Sequence, residues 1–115
     1  MILKVGEKVH VIERRYFMED LRRHFIGNVI KCTEQAVRLK GYAWVFDKVN
    51  GKFIMKPEER ERIVCFGDRM VINVIPEEVN MDEIRYIDLP EEGLVVTDGK
   101  DFVLEINEFT AMRWR

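Results

Sequence analysis

Serine is absent from this 115-residue sequence, and with it the commonest hydrolytic nucleophile. Cysteine occurs only twice, at Cys32 and Cys65, without the paired spacing of a zinc site or redox motif. Both are expected to be reduced thiols buried as small apolar residues. Histidine also occurs twice, and neither His10 nor His24 has a His or Cys at ligand spacing. A structural role is the expectation for each. The G-x-G-x-x-G and P-loop patterns are missing. Glu58, Glu59 and Glu61 read as a solvated charge run, and Asp98 and Asp101 as parts of a turn. These absences imply no metal and no cofactor, and they predict a protein that is not an enzyme. Three prolines and no low-complexity run argue against disorder. No stretch approaches the ~20 apolar residues of a membrane span. The start, MILKVGEKVHVIERR, is broken by Lys4, Glu7 and Lys8, so no signal-peptide core is read there and a cytoplasmic location is expected.

What the sequence does hold is a globular balance, 47% hydrophobic and 35% charged residues. The length suits one domain, expected over 1–115. The net charge of -2 conceals an asymmetry. Residues 1–56 carry 12 Lys/Arg against 6 Asp/Glu (+6), and residues 57–115 carry 7 against 15 (-8). Complementary packing of the two halves, or of neighbouring subunits, explains this most simply; a basic face for an anionic partner is the other reading.

Along the chain, Gln35 to Asp47 is the organising stretch. Val37 and Leu39 alternate with Arg38 and Lys40, and beyond Gly41 both faces become apolar. A glycine at that changeover suits a bend that carries a strand from one sheet into another. Residues 8–17 read as a first strand. Phe17, Leu21 and Phe25 fit a helical stripe, while Met18, Glu19 and Asp20 fit a hairpin turn; both readings stand for residues 14–25. FIGNVIKC follows as a strand with its own glycine, Gly27. Asn50-Gly51 predicts a type I′ turn returning through KFIMK. RIVCF and RMVINVI are two further strands joined at Gly67-Asp68, the second ended by Pro76. A short helix is predicted over about 81–86, capped by Asn80 with Glu83 in a capping box and Val79 with Ile84 as a staple. A C-terminal hairpin over about 93–106 turns at Asp98-Gly99, again as type I′, with Val95, Phe102, Leu104 and Ile106 available to the core. The tail NEFTAMRWR has no readable period. The prediction is seven or eight strands in a mainly β fold: a small, strongly bent antiparallel barrel with its core at about 8–75, one short helix and a C-terminal hairpin.

Two motifs within about Val29 to Ile75 carry a family resemblance. Gly41-Tyr42-Ala43-Trp44-Val45-Phe46-Asp47, followed by Asn50, resembles the glycine, small apolar residue and Phe-Asp pair of the Sm-like family of small bent-sheet barrels. Cys65-Phe66-Gly67-Asp68, leading into Val71, Asn73 and Val74, resembles that family's glycine turn between its last two strands. Phe66 stands where eukaryotic and archaeal members have a pocket arginine, and Asn50 falls one position early. The resemblance implies an Sm-like or SH3-like barrel, a ring joined by edge-strand pairing, and RNA binding with Asp47 and Asn50 at the pocket positions.

Independently of that resemblance, Arg14, Arg15, Arg22 and Arg23, interleaved with Tyr16, Phe17 and Phe25, combine phosphate contacts with stacking surface for nucleic acid. The plainer reading makes them a solvated face over core aromatics, and Asp47 and Asn50 the frame of a turn. The leading functional expectation is a non-enzymatic interaction or assembly module, contacting another copy or another protein. RNA binding is the alternative, and no membrane partner is expected.

Overall fold

The computed structural model describes residues 2–67 and 69–106. The fold is mainly β, with antiparallel pairing throughout. It comprises two compact units, Met1–Glu77 and Glu78–Arg115.

The first unit holds β1 (Lys8–Glu13), β2 (Arg23–Cys32), β3 (Ala36–Asp47), β4 (Lys52–Met55), β5 (Arg60–Cys65) and β6 (Met70–Ile75). They form one sheet in the order β4-β3-β2-β1-β6, with β5 also on β3. β3 is the longest strand and belongs to three ladders. Along one edge it pairs with β2; along the other, Ala36–Gly41 pairs with β5 and Trp44–Asp47 with β4. The division falls just past Gly41, which sits directly opposite Gly27 of β2. The backbones approach so closely there that a Cβ on Gly41 would collide with the Ile26 carbonyl, and one on Gly27 with that of Lys40. Two glycines are needed because neither strand has room for a side chain. Ile30 adds a bulge, since the register shifts between Val29 and Lys31.

Period-2 alternation supplies the core. Val9 and Val11, Phe25 and Val29, and Val37, Leu39 and Ala43 share one face and pack with Leu3 and Val64. Leu39 and Val9 are completely buried. Each such side chain contributes roughly 1.5–3 kcal/mol relative to exposure. The opposite face is also covered at its centre, where His10, Ile12, His24 and Ile26 are buried.

The structure corrects several expectations. The ladders among the described residues do not close into a barrel: β5 bonds to β3 and β6 to β1, although only a short turn separates them. Of the two readings open for residues 14–25, the hairpin holds and the helix does not: they form the connection to β2 and its start. Cys65 is exposed and Cys32 half-buried, because Val64, one position away, takes the inward place on β5. Neither predicted type I′ turn forms, since among the described residues none other than glycine has positive φ. At the β3–β4 turn only Gly51 is left-handed (φ 69°), in a four-residue loop closed by the Gly51 amide donating to the Asp47 carbonyl.

In the second unit, a single 3-10 turn, Met81–Glu83, replaces the predicted helix and ends at the extended Ile84. The Asn80 side chain caps it, accepting from the Asp82 amide at 3.0 Å, while Glu83 pairs with Lys100 at 3.1 Å. Val79 and Ile84 are both buried. Then β7 (Arg85–Leu89), β8 (Gly93–Thr97) and β9 (Val103–Glu105) form a three-stranded antiparallel sheet. β7 adds a strand that is not among those predicted. It has no fully buried position, so it lacks a clear apolar face. Asp98 shapes the β8–β9 loop by accepting from the amides of Lys100 (2.8 Å) and Phe102 (3.3 Å). Val95 and Ile106 are buried, with Phe102 and Leu104 half-buried. The tail NEFTAMRWR lies outside the described residues.

Candidate functional site

Three of the four arginines singled out from the sequence meet at one place. β1 ends at Glu13, and the loop of residues 14–22 carries the chain to β2, which begins at Arg23, the ladder partner of Glu13. Arg14, Arg15 and Arg23 therefore surround the same end of the sheet. They line a cleft of about 360 Å3 together with Arg69, which arrives from the turn before β6. Tyr16 forms part of the wall, and Glu13 and Asp20 also line it, so among the described residues four guanidinium groups stand against two carboxylates.

The wall is held by specific bonds. The Arg14 amide donates to the Arg69 carbonyl at 2.7 Å, and an Arg69 guanidinium nitrogen donates to the Arg15 carbonyl. The Arg69 guanidinium lies 3.6 Å from the centre of the Tyr16 ring, a cation–π contact. The Arg15 side chain donates to the Met18 carbonyl at 3.0 Å. Asp20 shapes the loop by accepting from the amides of Tyr16 (3.2 Å) and Phe17 (3.1 Å), the local bonding that suits aspartate to turns. Folded back in this way, the loop displays Tyr16, Phe17 and Met18, each about two-thirds exposed.

Arg22 is not part of the cleft. Its guanidinium lies 5.3 Å from the Phe46 ring centre and 5.2 Å from that of Phe53. Those rings meet edge to face at 5.3 Å. Asp47 and Asn50 also stay apart from the cleft. Asp47 accepts from the Asn50 side-chain amide at 2.6 Å and from the Val49 amide at 2.9 Å. The Asn50 hydrogen bond is the main reason that the Asp47 carboxyl titrates below its ordinary range.

Sequence reasoning missed two features. Arg69 is one; nothing in its local sequence ties it to residues 14–23. The other is a buried polar chain. Asn73 stands directly opposite His10 in the β1–β6 ladder, and His24 is diagonal to His10 across β1–β2. Asn73 Nδ2 lies 3.2 Å from His10 Nδ1, and His10 Nε2 lies 2.9 Å from His24 Nδ1. With the Asn73 amide donating, His10 carries its proton on Nε2 and donates to His24, so both rings are neutral. The His24 ring then packs against Phe53 at 4.6 Å between centres. Burial pushes the His10 pKa down to about 4, and burial, aided by the charges of His10 and Arg22, pushes that of His24 down to about 2. The signal for this pair was the strand register, which places the two rings on one face, rather than any spacing in sequence.

Among the described residues no three His, Cys, Asp or Glu side chains cluster as a metal site. No helix is long and apolar enough to cross a membrane. Compared with protein-family models, with curated proteins and with solved structures, the chain gives no match.

Proposed function

We propose that this chain is a non-enzymatic interaction or assembly module whose contact surface is the loop of residues 14–22. The observation that carries this reading is the exposure of Tyr16, Phe17 and Met18 side by side on a loop that its own hydrogen bonds hold in shape. Exposed apolar side chains scattered singly are ordinary, but consecutive large ones on an ordered loop mark a contact surface. Among the described residues the outer edge of β6 pairs with no strand, and with Val74 more than half exposed it offers backbone donors and acceptors for strand addition. In this reading the six strands of the first unit are an Sm-like or SH3-like barrel left open at β5 and β6, and the module works in the cytoplasm. Light scattering tests the assembly form. A mass several times 13.8 kDa, falling to that of one chain in a Phe17→Glu, Met18→Glu variant, is expected; a single-chain mass at all concentrations refutes self-assembly.

A second reading is RNA binding, favoured by the convergence of Arg14, Arg15, Arg23 and Arg69 beside an exposed tyrosine. Affinity for short single strands should then depend steeply on salt. Three phosphate contacts predict a loss of about 20-fold between about 50 and about 200 mM salt. Absence of binding at the lower salt refutes it.

A further inference from the structure

The cleft at the end of β1 has more definition than a basic surface. Its four arginines come from three places in the chain: the two residues after β1, the first residue of β2 and the turn before β6. Evenly solvated charges spread apart; these are brought together by backbone bonds, the Arg14 amide to the Arg69 carbonyl and the Arg69 side chain to the Arg15 carbonyl. Among the described residues, no carboxylate lies within ion-pair distance of Arg14, Arg23 or Arg69, although Glu13 and Asp20 line the same cleft. Asp20 is occupied with the amides of Tyr16 and Phe17. Arg69 Nε is buried with no hydrogen-bond acceptor among the described residues. A cationic cleft with donors to spare accepts an anion with several oxygens, and guanidinium groups match phosphate geometry.

Size and wall narrow the class. The cleft, about 360 Å3, is at the small end of ligand sites. Tyr16 carries the Arg69 guanidinium near its ring yet remains 72% exposed, so most of its surface is open to a flat partner. Phosphate-binding guanidiniums beside an exposed ring fit one nucleotide: anion on the arginines, base on the tyrosine.

We propose that this cleft is a nucleoside-phosphate site, in which Arg14 and Arg23 contact the phosphate, Arg69 anchors the wall and Tyr16 stacks on the base. The ligand is a free mononucleotide or one unit of a single strand, the latter resting on the RNA reading above. Glu13 opposes the anion and limits affinity.

The test uses the full chain with two probes, uridine monophosphate and a hexauridylate strand, followed by chemical-shift changes in 1H–15N spectra at low salt. The same spectra show that each variant is folded. Binding of either probe that perturbs Tyr16 and the Arg14, Arg23 and Arg69 side chains, that Arg14→Gln with Arg23→Gln weakens by about tenfold or more, and that Glu13→Gln strengthens, supports the proposal. Tyr16→Ala should also weaken it by about tenfold. Mononucleotide binding without strand binding keeps the site and removes the RNA reading. Strand binding that survives the Arg14/Arg23 double variant but is lost on Arg22→Gln keeps the RNA reading and overturns the site. Failure of both probes to bind overturns the site as well.

Discussion

The buried histidine pair makes folding stability sensitive to mild acid. Both rings are neutral when folded, with pKa values pushed down to about 4 for His10 and about 2 for His24 from an ordinary 6.5. Below pH 6.5 the unfolded chain takes up protons that the folded chain refuses, so unfolding is increasingly favoured as pH falls. The loss grows from 6.5 down to about 4 for His10 and further for His24. At about pH 5 each histidine costs the folded state about 2 kcal/mol relative to about pH 7.5, and the pair about 4 kcal/mol. Against a total stability of roughly 5–15 kcal/mol this is a large share. Denaturant unfolding followed by circular dichroism at the two pH values measures it. Asp47 confuses little here, since it titrates below the usual carboxylate range and its contribution is lost only at lower pH. In a His10→Leu, His24→Phe variant the fall between the two pH values should largely disappear, whatever its absolute stability. A wild-type stability unchanged between those pH values, or an equally steep fall in the double variant, refutes the reasoning.

Two further predictions rest on single positions. Gly41→Ala and Gly27→Ala each drive a methyl group into the facing backbone, so each should cost about 1–3 kcal/mol or more in thermal or denaturant unfolding; Gly67→Ala, with open space at its Cβ, serves as the control. Asn50→Ala removes the leading cause of the Asp47 shift, and the Asp47 carboxyl should return toward its ordinary range in an NMR titration, while its bond to the Val49 amide stays in place.

Local pattern made much of the fold legible. The alternation through Val37 and Leu39, the paired glycines, the Pro76 stop and the Asn80 cap each follow from side-chain chemistry within a few residues, and each has its counterpart in the structure. The hairpin readings at Asn50-Gly51 and Asp98-Gly99 located the turns but mistook their geometry, because Asp47 and Asp98 bond to the amides of their own loops and leave only the glycine left-handed. β7 was invisible because half-burial on both faces erases alternation. The site was legible only in part. Arg14, Arg15 and Arg23 lie close in sequence, but Arg69 joins them through the β1–β6 ladder, a pairing that local sequence does not encode. The same holds for Asn73 and His10. Arg22, adjacent to Arg23, faces the other side of the strand because successive side chains alternate, and so it meets Phe46 and Phe53 instead of the cleft.

The ladders of the first unit divide by the length of chain they must close. β1 with β2, β2 with β3, and β3 with β4 are hairpins, whereas Lys8 finds Ile75 only after the intervening chain has been gathered. Loop closure places that last ladder late in folding. The polar chain straddles the divide: His10 meets His24 within the first hairpin, but Asn73 reaches His10 only with the final one. Asn73→Ala should therefore speed unfolding while leaving the folding rate nearly unchanged, and His24→Phe should slow folding as well. Arg69 depends on the same late step, so the guanidinium cleft comes into being only when β6 has joined β1.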